Sequence, residues 1–65
     1  MKLIVNGEPR EVRAQTLADL VSELGYTEVP VATAVNLSVV RKKDRESTRL
    51  LDGDKVEVLV PMQGG

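Results

Sequence analysis

Thr16-Leu17-Ala18-Asp19-Leu20-Val21-Ser22-Glu23-Leu24-Gly25 is the stretch around which the chain organises itself. Leu17, Leu20, Val21 and Leu24 stand at i, i+3, i+4 and i+7, which puts four apolar side chains on one face of an α-helix. Thr16 has the chemistry of an N-cap, and Asp19 three residues on makes a short-armed capping box. Gly25 suits the left-handed residue that follows a helix C-terminus. A single amphipathic helix must cover something, and the flanking segments read as the sheet it covers.

On the N-terminal side, Lys2 to Val5 is a short apolar strand followed by Asn6-Gly7. Asn-Gly favours a tight hairpin, because both central positions of that turn need positive φ. The returning strand is expected from Glu8 to Ala14. Pro9 cannot donate a ladder hydrogen bond, so this strand belongs at an edge. On the C-terminal side, Val31 to Val35 is rich in β-branched residues and predicts a third strand. Its small residues, Ala32 and Ala34, are expected to give the helix room to approach. Asn36 predicts a turn and Ser38 to Val40 a short fourth strand. Arg41 to Thr48 is polar without a clear period and reads as a surface connector. Leu50 and Leu51 are expected to return to the core before the turn Asp52-Gly53-Asp54. Lys55 to Val60 then predicts a central strand, with Val56, Val58 and Val60 towards the helix and Leu59 beside Lys55 and Glu57 on the other face. The fold class is α+β, a mixed sheet of four to five strands with one main helix across one face.

Composition removes whole classes of function. The 65 residues contain no Cys, so neither a disulfide nor a thiolate nucleophile is available. They contain no His, which takes away the commonest general base and metal ligand. A net charge of −1 and a lone Tyr as the aromatic complement argue against nucleic-acid binding. No apolar run approaches the roughly 20 residues of a membrane span. The expectation is a cytoplasmic, non-catalytic protein with no bound cofactor or metal, monomeric when free.

The chain ends in Gly64-Gly65, directly after the last predicted strand. Residues 1–60 are read as the folded domain and 61–65 as a flexible tail, mobile from about Met62 onward. Glycine lacks a Cβ, so this end can enter a channel too narrow for other residues. Its carboxylate is ionised at neutral pH and a poor electrophile, so acyl chemistry on it requires activation by a partner. A terminal glycine pair also arises by chance or as a frayed end, and the tail alone leaves both readings open.

Taken in order and spacing, Val5-Asn6-Gly7-Glu8-Pro9, Thr16-Leu17, Leu24-Gly25, Ala34-Val35-Asn36, Leu51-Asp52-Gly53-Asp54-Lys55-Val56-Glu57 and Met62-Gln63-Gly64-Gly65 resemble the ThiS-like sulfur carriers of thiamine biosynthesis, a ubiquitin-like β-grasp family. The resemblance covers essentially the whole chain. It departs from the family pattern at Leu37, where a turn glycine is usual, and at Arg41, where a proline often stands. It implies a carrier and not a catalyst. An E1-like enzyme, using ATP and Mg²⁺, would adenylate Gly65. A sulfur donor protein would convert the acyl-adenylate to a thiocarboxylate, and thiazole synthase would receive the sulfur. Gly64, Gln63 and Met62 would thread the partner's channel. Residues 61–65 could reach about 17 Å when extended, at roughly 3.4 Å each.

Outside the tail, Arg41-Lys42-Lys43 with Arg45 is a basic cluster, read chiefly as a solvated loop. Arg41, Lys43 and Leu59 are candidate partner-docking residues. Leu3 and Val5 either extend an apolar patch around Leu59 or belong to the core. Alternatives to the thiamine carrier are the small subunit of molybdopterin synthase, another ubiquitin-like modifier, and a β-grasp interaction module with no acyl chemistry.

Overall fold

The computed structural model describes residues 1–61. In chain order the elements are β1 (Lys2–Val5), β2 (Glu8–Glu11), α1 (Leu17–Glu23), β3 (Ala32–Val35), β4 (Ser38–Val40), a 3₁₀ turn (Lys42–Asp44) and β5 (Lys55–Leu59). The strands form one sheet in the order β2-β1-β5-β3-β4. β5 runs parallel to β1 and antiparallel to β3, and the two outer pairs are antiparallel hairpins. This is the expected α+β, β-grasp arrangement, with five strands and the last one central.

The local chemistry behaves as the residue types require. Asn6 and Gly7 both adopt positive φ, 51° and 85°, and close the β1–β2 hairpin. Pro9 lies on β2 at the edge of the sheet, where its missing N–H costs nothing. Thr16 caps α1, its hydroxyl accepting from the Asp19 N–H at 3.1 Å. Gly25, at φ 92°, ends it. Leu17 and Leu20 are wholly buried and Val21 nearly so, while Leu24 packs at the rim. Burying each leucine contributes about 1.5–3 kcal/mol before chain entropy is counted. Opposite them lie Leu3, Val5, Val56 and Val58 from the sheet, with Val12, Ala14 and Leu50 closing the sides.

Four expectations require correction. β2 ends at Glu11, because its partner β1 begins at Lys2; Val12 still exchanges backbone hydrogen bonds with Met1, and the chain beyond it, with Val12 and Ala14 buried, has no β1 residue left to pair with. On β3 it is Thr33 that is buried beneath the helix layer, flanked by Val31 and Val35, whereas Ala32 pairs with the outward Leu59 and Ala34 with the outward Val39. The small residues therefore face away from α1. Thr33 tolerates burial because its hydroxyl donates to the Val40 carbonyl at 2.7 Å and accepts from the Arg45 Nε at 3.1 Å. Leu50 is in the core but Leu51 is 69% exposed, since neighbours in extended chain point to opposite sides. Val60 lies past the end of β5 and is half exposed, so it does not meet the helix. Of the two places left open for Leu3 and Val5, the core is the one they occupy.

Candidate functional site

The strand that leads into the tail is held on both sides by different means. On one side β3 pairs with it from Val35↔Val56 to Ala32↔Leu59. On the other, β1 pairs only as far as Val5↔Val56, where the chain turns away at Asn6-Gly7. The backbone N–H of Asn6 donates to the Val56 carbonyl at 2.9 Å. Beyond that point the Asn6 side chain takes over. Its Nδ2 donates to the Val58 carbonyl at 3.1 Å, and its Oδ1 accepts from the Val58 N–H at 2.9 Å. One primary amide thus supplies the donor and acceptor that a further residue of β1 would have offered.

Asn36, in the β3–β4 turn, does the same at the opposite end of β5. Its Oδ1 accepts from the Lys55 N–H at 3.0 Å, and its Nδ2 donates to Asp54 Oδ1 at 3.0 Å. Sequence reasoning read both asparagines as turn formers and missed these side-chain roles. Their signal is an amide at a positive-φ position facing a neighbouring strand.

Leu59 is exposed on the sheet face away from α1, as expected, with Lys55 and Glu57 alternating along the same face. Arg41 is exposed just after β4, and Lys43 is exposed on the 3₁₀ turn. Lys43 lines an open groove with Ala18, Val21 and Ser22 of α1, on the helix side of the molecule. Leu59 and Lys43 therefore do not share a surface. Arg45 is not solvated: its Nη2 donates to the Val31 carbonyl at 2.6 Å, and its Nε donates to the Thr33 hydroxyl. Nor is the surrounding segment a loose connector. The Ala18 N–H donates to the Arg45 carbonyl and the Leu17 N–H to the Thr48 carbonyl, satisfying the first turn of α1. Met62, Gln63, Gly64 and Gly65, and with them the expectation of a mobile tail, lie outside the described residues.

Among the described residues no group of three or more His, Cys, Asp or Glu is placed to hold a metal ion. No helix among them is long and apolar enough to cross a membrane.

Comparison with known proteins bears on the same stretch. The model of the ThiS family matches residues 3–65. A sulfur carrier protein ThiS of Thermus thermophilus is 38% identical over 61 residues, covering 94% of this chain and 95% of that protein. A thiazole synthase of Paramagnetospirillum magneticum is 39% identical over 66 residues, which takes in the whole of this chain but only 20% of the length of that protein. Among solved structures, the crystal structure of the thiamine biosynthesis protein ThiS from Geobacter metallireducens superposes with a TM-score of 0.84 at 33% identity, each chain covered completely. A solution structure of a thiamine biosynthesis protein from the same organism gives 0.82, with 88% of that chain covered. A match of this extent, running from β1 through the glycine pair, makes the chain a member of the ThiS family.

Proposed function

We propose that the protein is a sulfur carrier of thiamine biosynthesis whose working group is the carboxylate of Gly65. The observation that carries this reading is the reach of the family match, which runs past the last strand and includes Gly64 and Gly65. The chemistry needs an outside activator, because an ionised carboxylate has no leaving group. In the proposed cycle an E1-like enzyme lets the Gly65 carboxylate attack the α-phosphate of ATP, releasing pyrophosphate, with Mg²⁺ offsetting the phosphate charge. Sulfide-level sulfur handed over by a donor protein then attacks the acyl carbon, forming the C–S bond as the C–O bond to AMP breaks. The departing oxygen stays on AMP and the chain is left with a thiocarboxylate. Residues 62–64 pass through the enzyme's channel while the folded domain stays outside. The composition, without Cys or His, lacks the commonest nucleophile and general base, and ATP and Mg²⁺ are assigned to the partner. The domain acts in the cytoplasm and is monomeric between encounters.

Thiazole synthase is the proposed acceptor. A protein of that name contains a stretch alignable with this entire chain, which supports an association of the two. Docking is proposed to use exposed Leu59, with Arg41 or Lys43 available for a separate contact.

The test is an intact-mass measurement after incubation with an activating enzyme, ATP, Mg²⁺ and a sulfur source. A gain of about 16 Da, the difference between sulfur and oxygen at an activated acyl group, is expected. Deletion of Gly65 abolishes the gain and leaves the thermal midpoint nearly unchanged. If the deleted chain still gains this mass, or the intact chain never does, the carrier reading fails and an interaction module takes its place.

A further inference from the structure

We infer that Asn6 is a positioning residue for the acyl terminus, acting through Val58. This rests on the carrier reading above and deepens it. β5 must present residues 62–65 from a firm root, yet its β1-side partner stops at Val56. Val58 would leave both an N–H and a carbonyl open on that side. The Asn6 amide closes both, at 2.9 and 3.1 Å, across a sequence separation of 52 residues. Among the described residues it is therefore the last cross-link on that flank before β5 ends at Leu59.

The position selects the residue type. Asn6 sits at φ 51°, a left-handed conformation that Asn tolerates better than most residues. An amide alone offers a donor and an acceptor at this reach. A carboxylate in its place would set negative charge against the Val58 carbonyl, and a hydroxyl would be too short to span both atoms. Without the amide, the end of β5 frays on its β1 flank. The fraction of molecules whose strand end is formed then falls, and the apparent affinity of a partner that needs it formed falls in proportion.

The decisive variant is Asn6→Gly, because glycine accepts the same positive φ and the substitution removes the amide without straining the turn. Asn36→Gly is the control: it cuts the equivalent amide clamp at Lys55, the far end of the same strand, also at positive φ. Two readouts are taken. Amide hydrogen exchange at Val58 is compared with exchange at Ile4 and Leu20, whose N–H groups are bonded elsewhere, to Asp54 and Thr16. Adenylation is followed as ATP–pyrophosphate exchange with the activating enzyme, which requires no sulfur source. Asn6→Gly is expected to speed Val58 exchange at least tenfold beyond any change shared with Ile4 and Leu20. It is also expected to raise the KM for the carrier at least threefold with kcat unchanged. Asn36→Gly is expected to leave that KM within error. Should Asn6→Gly fail to fold, Asn6→Asp, which keeps the acceptor and loses the donor, is expected to move both readouts in the same direction. Unchanged Val58 exchange, or an equal rise in KM from both turn variants, overturns the inference while leaving the carrier reading intact. A wild-type chain that is never adenylated overturns both.

Discussion

Leu37 is the residue with the least comfortable backbone. It stands at φ 73° as the second central residue of the β3–β4 turn, where Asn36 is also left-handed, and its side chain is 88% exposed. An L-residue with a branched side chain meets steric strain there, and no contact offsets it. Leu37→Gly should therefore stabilise the domain by about 0.5–1 kcal/mol, with glycine's extra unfolded-state entropy taking back part of the relief. Urea denaturation of the two proteins measures this, and an unchanged or lower midpoint refutes it. The absence of the usual turn glycine was visible in the sequence. That the hairpin forms regardless was not, because it depends on Val35↔Ser38 and Thr33↔Val40 pairing beside it. Phase was equally hidden. Whether Leu51 or Leu50, and Ala32 or Thr33, points inward depends on where each strand enters the sheet, and local composition carries no such information.

At the level of the element, the helix was legible almost to the residue, because a 3.6 period and two capping signals agree on its face and ends. The segment from Arg41 to Thr48 was not. Its charges suggested water on all sides, yet it supplies backbone carbonyls to the first turn of α1 and sends one guanidinium under the sheet edge. A long charged side chain can bury its stem and still satisfy its head, which sequence patterning does not register. The basic residues should separate sharply on substitution. Arg45→Ala should cost about 1–3 kcal/mol, since it leaves the Val31 carbonyl without its donor. Lys43→Ala, at an exposed position, should stay within about 0.5 kcal/mol of wild type. Thermal melts of both variants check this, and equal effects would refute the distinction.

For the whole molecule, the controlling fact is the sheet order. β1–β2 and β3–β4 are hairpins of near neighbours, and within the sheet only β5 is hydrogen-bonded to both. A lone two-stranded hairpin is marginally stable in water. Removing residues 54–65 should therefore abolish cooperative unfolding, although α1 and four of five strands remain encoded. Circular dichroism would show the loss as a sigmoidal melt becoming a featureless slope, and a retained sharp transition would refute it. The candidate site was read in the sequence from a local pattern, two glycines after a strand, and those glycines lie outside the described residues. Its root was not, because the Asn6–Val58 pairing joins residues from opposite ends of the chain.

Among the described residues, the central strand is also the last one to be translated. On the ribosome, both hairpins emerge before the segment that joins them, so the nascent chain remains open until residue 59 has cleared the exit tunnel. A product of premature termination before that point lacks the strand that joins the two hairpins, and limited proteolysis is expected to find it unprotected. Folding thus audits translation: a compact molecule is one whose message was read at least through its central strand.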